Sequence, residues 1–453
     1  MTAPYVRQAG RRGGLAARVA PVPAAARTGT SSLAATIAGL PKRLRWTLVF
    51  AAFFAFAGAV ISARLRIGQP LIILGVIGLL LQGERLRWGT VTPLLALWTA
   101  WCGLGVFASE YPEAGSEGVL QLSKLAVITL VGANALRTRA QLRVFSAFAL
   151  FAFLLYPGRG ALLNYITGAF VIAGSRAVWN GVYSNPNDLA AIAILLLSIA
   201  AGLAVSERNR WPRLAAFATA AFLAFIIFIT QSRGALIALG VFVVAVLWRA
   251  PKRQRVRAAL ATAAIGAVVI AFAPSSVWDR LSGLTNVSSD DMSQVDAEGS
   301  ATQRFEIWKV AGTIIAEHPV TGVGIEAYPY EHARVALRPE FKFTARGNRD
   351  THSTYLNVAA ETGLIGFALF MSVIVVTVRR AERVRRRAAS VDPGGAHQLL
   401  LLEFGMLAYL VAGLWGSYAK LNMLYLHLVL LWCTAKALET ESVGGARPPT
   451  TGR

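Results

Sequence analysis

Residues 189–205 read LAAIAILLLSIAAGLAV, and this uninterrupted apolar run decides the fold class. Its length matches the roughly 17 to 25 residues that an α-helix needs to cross the hydrocarbon core of a bilayer. Backbone groups that face lipid must be hydrogen-bonded within their own segment, so we expect such runs to be helices. Similar runs recur along the chain and predict an all-α, polytopic fold with about twelve transmembrane helices. The approximate centres are Phe54, Leu74, Leu97, Val127, Ala149, Leu197, Leu223, Phe242, Ile265, Leu369, Ala408 and Leu428.

The composition supports a membrane protein and excludes several other classes. The 453 residues are 55% hydrophobic and 15% charged, with a mean hydropathy of +0.53, which excludes a soluble globule. The net charge of +22 is spread over short cationic clusters between apolar runs, so it indicates membrane topology and no nucleic-acid partner. Cys102 and Cys433 lie within apolar runs without ligand spacing and are interpreted as core residues.

The cationic clusters also predict the orientation and the segments of the chain. Alternate connections carry most of the arginines, the richest being residues 379–387, and cytoplasmic loops are enriched in such residues. We therefore expect both termini to be cytoplasmic and the long polar stretch before Tyr355 to lie outside. The predicted segments are a disordered cytoplasmic tail (1–44), transmembrane helices 1–9 (45–273), a long extracytoplasmic loop that holds the active site (274–354), transmembrane helices 10–12 (355–438) and a second disordered cytoplasmic tail (439–453).

The long loop is predicted to contain an amphipathic helix on the membrane face. Apolar residues at Phe305, Trp308 and Ile315 recur at helical intervals after Ser300, and Pro319 ends the run. Upstream, the acidic run at residues 290–298 could suggest a divalent ion, but its Ser, Gly and Gln neighbours favour a solvated loop.

A series of short motifs lies in order from the sixth predicted span onward. NPND at residues 185–188 favours an Asx-type turn that caps a helix, through Asn185, Asn187 and Asp188. The others are QSRG at 231–234, Arg304 with Trp308, HPVTGVG at 318–324, THSTYLN at 351–357 and ETGLIG at 361–366.

This order resembles the O-antigen ligase and polymerase family of bacterial membrane glycosyltransferases, over about residues 185–374. The resemblance implies an integral-membrane glycosyltransferase fold in the bacterial inner membrane. It implies transfer of a glycan from an undecaprenyl diphosphate carrier to an acceptor hydroxyl, such as lipid A core, without a cofactor or an essential metal. In the family an arginine begins the loop helix and a histidine closes the loop. Arg304 and His352 match those positions, and Arg233 matches a further family arginine.

The chemistry of these residue types agrees with the implied catalytic roles. A departing diphosphate carries negative charge, which planar guanidinium groups bind in a bidentate manner. A neutral imidazole can accept the proton of the acceptor hydroxyl, so His352 is the candidate base. For Arg233, which lies between two apolar runs, snorkelling to the interface is the alternative to phosphate contact. Further candidates for binding diphosphate or glycan, or for orienting the catalytic groups, are Arg338, Arg346, Arg349, Tyr328, Tyr355 and Glu361.

Two alternatives to a ligase remain open from the sequence. A polymerase would pass the glycan to another lipid-linked repeat unit, and nothing in one sequence separates it from a ligase. A flippase or transporter of the same lipid-linked glycan would place ionisable residues at the midplane of broken helices in paired halves. The cations here concentrate in one loop, which favours transfer over transport.

Overall fold

The computed structural model describes residues 47–65, 67–81, 85–168, 176–249 and 300–444, with isolated residues between 255 and 267. The described residues form helices and contain no β-strand. The α-helices, numbered in chain order, are α1 (Leu48–Ser62), α2 (Gly68–Leu81), α3 (Val91–Val106), α4 (Pro112–Ala135), α5 (Arg139–Phe153), α6 (Arg159–Thr167), α7 (Pro186–Ser206), α8 (Arg210–Ile229), α9 (Arg233–Arg249), α10 (Ser300–Glu317), α11 (Tyr328–Val335), α12 (Thr354–Ala388), α13 (Pro393–Ala412) and α14 (Asn422–Gly444).

Six of the described helices are long and apolar enough to cross a membrane: α4, the continuous segment Arg139–Thr167, α7, α8, α12 and α13. Three shorter apolar helices, α1 to α3, accompany them. The chain is therefore a multi-helix integral membrane protein. All predicted centres fall within helices except Ile265, which lies outside the described residues. The predicted total of twelve spans thus stays a prediction.

Helix α7 lies at the centre of the bundle. Its residues from Leu189 to Ala200 are all buried, and it packs mainly against α8 and α13. The Asn185 side chain accepts a hydrogen bond from the backbone N–H of Asn187 at 2.9 Å, and Pro186 takes the first helical position. This confirms the cap predicted from NPND, because both residue types suit a helix start.

The two ends of the bundle differ in their side-chain chemistry. One end is joined by ion pairs between helices, including Arg143 with Glu207, Arg139 with Glu441 at 2.8 Å, and Arg380 with Glu439 at 3.3 Å. At the other end α7, α9 and α12 begin, and α8 and α13 end. The residues of the loop that precedes α12 are packed against that second end.

Helix α12 is broken at Gly363, where the chain adopts a φ of 68°. The loop before α11 docks into this break through main-chain hydrogen bonds. Leu364 N–H donates to the Pro319 carbonyl at 2.8 Å, and Val323 N–H donates to the Ala360 carbonyl at 2.9 Å. A Cβ at Gly363 would overlap the Val320 carbonyl, so both the left-handed backbone and the close approach require glycine there.

A second, smaller core lies under α10 and α11. Val310, Ala311 and Ile314 of α10 are buried against Tyr328 and Val335 of α11. The helix predicted in the loop is confirmed and ends before Pro319 as expected. Of the predicted apolar stripe, Ala311 is buried in this core and Ile315 packs against it, whereas Phe305 is 52% exposed. The core-facing side is set by the packing of α11, which the periodicity of α10 alone does not reveal.

The C-terminal helix extends further than the predicted start of the tail at residue 439. It continues to Gly444, because ion pairs support its polar last turns. Lys436 contacts Glu439 at 2.9 Å within the helix, and Arg139 of α5 contacts Glu441. The predicted N-terminal tail and the acidic run at 290–298 lie outside the described residues.

Candidate active site

His352 lies in a tight turn just before α12, with a left-handed φ of 49°. Its backbone N–H donates to Asp350 Oδ2 at 3.2 Å, and its ring Nδ1 lies 3.4 Å from the same oxygen. A non-glycine residue in this conformation is uncommon and recurs at functional sites. Asp350 therefore holds both the backbone and the ring of His352.

The turn is fixed by neighbours on three different segments. The buried Thr351 hydroxyl donates to the Ser353 carbonyl at 2.9 Å and lies 3.0 Å from Ser417 Oγ. Trp308 Nε1 of α10 donates to the Thr351 carbonyl at 2.9 Å. Thr354 N–H donates to the Gly413 carbonyl at 2.8 Å, which ties the start of α12 to the end of α13. These bonds place the His352 ring on a rigid support.

The surroundings of His352 favour a neutral imidazole. Burial lowers its pKa below the usual value, Asp350 opposes this effect, and the positive charges of Arg304 and Arg349 lower the pKa further. Asp350 faces Nδ1, and among the described residues Nε2 has no hydrogen-bond partner. A neutral ring held in this way presents Nε2 as a proton acceptor.

Arg304 is near enough to His352 for its positive charge to lower the pKa of that ring. It lies one turn before Trp308 on α10, and its charge acts on both His352 and Tyr418. Its side chain is half-buried, so the charge is only partly screened by water. Arg349 lies on the exposed surface of the same turn, where its Nε donates to the Arg346 carbonyl at 3.2 Å.

The NPND turn forms the opposite wall of the site. Arg176 Nη2 donates to Asn187 Oδ1 at 2.7 Å, and its Nε donates to the Thr230 carbonyl at 2.8 Å. The Tyr418 hydroxyl donates to the Asn187 carbonyl at 3.3 Å, while Tyr418 N–H donates to Thr354 Oγ1 at 2.9 Å. Asp188 is near enough to Asp350 for the two carboxylates to repel each other.

Arg233 lies at the same end of the bundle, as the first residue of α9. It follows the buried residues Thr230, Gln231 and Ser232, and it is itself half-buried. The adjacent Gly234 packs against Trp415, in the connection that also binds Thr354. The sequence-predicted trio of His352, Arg304 and Arg233 thus belongs to one end of the fold.

Several other predicted residues have specific contacts with protein groups. Arg338 forms a bidentate ion pair with Glu317, with one of the two contacts at 2.9 Å. Tyr328 is fully buried, and its hydroxyl lies 2.9 Å from His332 Nδ1. Two further residues are placed by local contacts: the Arg346 guanidinium lies 5.4 Å from the Phe343 ring centroid, and the Tyr355 hydroxyl donates to the Leu410 carbonyl at 2.7 Å.

Glu361 belongs to a separate buried cluster. Lys420 Nζ lies 3.0 Å from Glu361 Oε2 and 3.0 Å from Glu326 Oε1, and Asn357 Nδ2 donates to Glu361 Oε1 at 3.3 Å. We call Lys420, Glu326 and Glu361 the ion triad. The Glu361 carboxylate is thereby satisfied by a lysine and an amide, and within the described residues its side-chain partners include neither His352 nor an arginine.

One group of side chains has the spacing of a metal site. Glu317, His318 and Glu331 place ligand atoms within 4.8 Å of one another. Two of the three are already occupied, because Glu317 pairs with Arg338 and Glu331 pairs with Arg334. The cation requirement of these carboxylates is met by arginines, so the group fits a metal poorly.

Sequence reasoning missed Arg176, Tyr418 and Lys420. Arg176 had a signal, since a lone cation between apolar residues inside a membrane protein marks a functional region. Tyr418 and Lys420 belong to the short connection between α13 and α14, where nothing in the local sequence indicates contact with α12.

A histidine, an aspartate and several arginines are gathered at one end of a bundle of apolar helices, an arrangement typical of functional sites in membrane proteins. Residues 218–371 match a family model described as O-antigen ligase, so this part of the chain is similar to the O-antigen ligase family. The matched third of the chain runs from α8 to the middle of α12 and includes Arg233, Arg304 and His352. A comparison with curated proteins found no match.

Proposed function

We propose that the protein is an inverting glycosyltransferase that moves a glycan from an undecaprenyl diphosphate carrier to an acceptor hydroxyl in cell-surface polysaccharide biosynthesis. One observation supports the proposal: Asp350 Oδ2 lies 3.4 Å from His352 Nδ1, while burial and the positive charges of Arg304 and Arg349 lower the pKa of that ring. A proton acceptor beside fixed cations suits a reaction in which a hydroxyl is deprotonated while a diphosphate departs.

The proposed step is a single displacement at the anomeric carbon. The acceptor oxygen attacks that carbon, the bond between the carbon and the diphosphate oxygen breaks, and the bonding electron pair leaves with the diphosphate. His352 Nε2 takes the proton of the acceptor hydroxyl. Because the acceptor enters opposite the leaving group, the configuration at the anomeric carbon is inverted.

In this proposal, arginines supply the positive charge that a divalent metal supplies in other enzymes. Arg304, Arg233 and Arg176 are guanidinium groups at one end of the fold, and guanidinium stays charged at any relevant pH. Developing charge on the diphosphate is stabilised by such pre-placed cations. Full transfer in the presence of EDTA is expected, and loss of transfer that added Mg²⁺ restores would contradict this part of the proposal.

We further propose that this end of the bundle faces the outside of the bacterial inner membrane, with both termini in the cytoplasm. The arginine-rich stretch at 379–387, predicted as a connection, forms the last turns of α12, at the opposite end of that helix from His352. Cysteine at position 300 (Ser300→Cys) should react with an impermeant thiol reagent added to spheroplasts, and Ser390→Cys should not. Reversed labelling would contradict the orientation.

The test of function is transfer by the purified protein in detergent, where transport across a membrane has no meaning. Lipid-linked glycan and lipid A core are supplied as donor and acceptor, and the glycan attached to the acceptor is measured. Transfer supports the ligase, and its absence with both substrates bound contradicts it. A polymerase would instead join lipid-linked repeat units, so cells that lack the protein would accumulate single units on the carrier; a failed ligase leaves long chains there.

A further inference from the structure

A cavity opens at the same end of the bundle as His352. It lies between the end of α1 and the turn from α5 to α6, and its volume is about 210 Å³. That volume is below the roughly 300 to 1,000 Å³ of pockets that enclose a whole small ligand, so the cavity can hold only the head group of a larger molecule. The polar and aromatic side chains that line it are Arg64, Tyr156, Arg159, Asn164 and Trp179.

The arginines of the cavity lie among aromatic rings and form no ion pair with another described residue. Arg64 Cζ lies 6.0 Å from the Tyr156 ring centroid and 5.8 Å from that of Trp179. In the described parts of the chain, neither Arg64 nor Arg159 forms a salt bridge, unlike Arg139, Arg143 and Arg385 at the other end. The Trp179 indole N–H is buried and lacks a hydrogen-bond partner. A buried donor of this kind destabilises a fold unless an acceptor is supplied.

The backbone is shaped to form this cavity. Helix α5 passes into a π-helical turn at Leu154–Gly158, which contains Pro157, before α6 begins. Such turns are rare and are frequently found at functional sites. Gly160 lies directly under the Trp179 ring, where a Cβ would overlap the ring atoms. The wall therefore depends on a glycine and on a strained turn in an otherwise regular helix.

One chain segment joins the cavity to the His352 site. Trp179 N–H donates to the Tyr183 carbonyl at 2.8 Å, and the Tyr183 hydroxyl donates to the Ile61 carbonyl at 2.8 Å. Three residues before Trp179, Arg176 binds Asn187 in the active site. A ligand held in the cavity thus lies beside the segment that supports the reactive site.

The lining of the cavity includes exposed apolar side chains. Leu163 is 44% exposed and Leu155 is 39% exposed, and Leu65, which follows the lining residue Arg64 in the chain, is 57% exposed. In a membrane protein, apolar side chains beside arginines and aromatic rings are typical of the level where lipid tails meet polar head groups. The ligand expected here has a lipid anchor and an anionic head.

We propose that this cavity binds the phosphate-bearing sugar head of the lipid-anchored acceptor, and this inference rests on the proposed function. The Arg64 and Arg159 guanidinium groups would bind the phosphate, and the rings of Tyr156 and Trp179 would contact a sugar face. The bound head would lie next to the segment 176–185, and its hydroxyl would be directed toward His352. A neutral acceptor would leave both arginines without a counterion.

The test is steady-state transfer with lipid A core as acceptor, before and after phosphatase treatment. For Arg64→Gln/Arg159→Gln, the KM for the phosphorylated acceptor should rise about tenfold or more, since two charge-assisted contacts are lost. The KM for the donor and kcat should stay unchanged, and the dephosphorylated acceptor should not distinguish the variant from wild type. The matched control is Arg210→Gln, which removes an exposed arginine at the other end of the bundle.

Trp179→Phe keeps the ring and removes only the unpaired N–H. It should raise the KM for the acceptor several-fold without lowering the thermal midpoint of the free protein. An unchanged KM in both pocket variants overturns the proposal. The proposal is also overturned if phosphatidylglycerol vesicles compete for the cavity while the arginine double variant and wild type have the same KM for the acceptor. The cavity is then a phospholipid site.

Binding separates this inference from the proposed function. Retention of radiolabelled lipid A core by His352→Ala protein in nanodiscs should be lost in the arginine double variant, whether or not any glycan is transferred. If acceptor binding depends on Arg64 and Arg159 but the wild-type protein transfers no glycan, the acceptor pocket is supported and the proposed reaction is rejected. If the wild-type protein transfers glycan and the arginine double variant does so equally well, the reaction is supported and the acceptor pocket is rejected.

Discussion

The His352 turn and the ion triad are both built from charged groups, yet they are organised in opposite ways. In the triad, the carboxylate of Glu361 is 2% exposed and contacts Lys420, which also contacts Glu326. At the His352 turn the ring is 37% exposed and is held on one side only, by Asp350. The charges of the triad pair with one another, whereas Nε2 of His352 has no hydrogen-bond partner among the described residues.

This difference indicates a structural role for the ion triad and a reactive role for the His352 turn. Buried charges are tolerated when each is paired, and then their main effect is to hold chain segments in register. The triad joins α12 to the loop before α11 and to the connection before α14. A reactive site needs an atom that is unpaired until substrate arrives, so His352 and the triad should respond differently to the same kind of substitution.

The largest effect is expected for His352→Ala. Loss of a general base costs about two to four orders of magnitude in rate. Donor binding and the thermal midpoint should be nearly unchanged, because the ring has one protein neighbour and is partly exposed. Transfer is measured with purified protein, and donor affinity with labelled lipid-linked glycan. Near-normal transfer would remove His352 from the mechanism.

Lys420→Met should have the opposite profile, with a large loss of stability. It leaves the buried carboxylate of Glu361 without its cation, which costs about 3 to 5 kcal/mol for a fully buried pair. The thermal midpoint in detergent checks this. The double variant Lys420→Met/Glu361→Gln should recover much of the loss, because no buried charge is then left unpaired. A stable single variant that lacks activity would instead place Lys420 in the reactive site.

Arg304→Lys tests whether Arg304 acts as a fork or as a point charge. An ammonium group keeps the charge but cannot bind a phosphate at two points, so we expect transfer to fall about tenfold to a hundredfold. Arg338→Lys is the control, since Arg338 is paired with Glu317 and its loss should affect transfer little. Equal activity of wild type and Arg304→Lys, at matched abundance, would reduce the role of Arg304 to its charge.

The smallest expected effect is a displacement of the pH profile. His352 acts as a base when neutral, so transfer should fall as the pH falls through its pKa, which burial lowers below the usual value. Asp350→Asn removes a charge that raises this pKa, and the acid limb should move to lower pH. Arg349→Gln removes a charge that lowers it, and the limb should move to higher pH. Shifts of the same sign in both variants would exclude His352 as the titrating group.

The sequence predicted those features that depend on neighbouring residues. Apolar runs located the helices, and the NPND turn located the start of α7, because spans and caps are local properties. The sequence also placed Arg304 and His352 together, through their resemblance to a family. It did not reveal that Arg338 is paired with Glu317, or that Glu361 contacts Lys420. Those partners are 21 and 59 residues apart, and no periodicity connects such positions.

The break in α12 has a consequence for how this chain can vary in evolution. Residues 319–324 are anchored to the helix through main-chain atoms and glycines, and not through the identities of most of their side chains. Val320 and Thr321 can therefore change without moving the anchor, whereas Gly322 and Gly363 cannot. Variation is free to accumulate at Val320 and Thr321, while the main-chain link between the loop and α12 is preserved. The chemistry of the loop surface can then change without rebuilding the turn that holds His352.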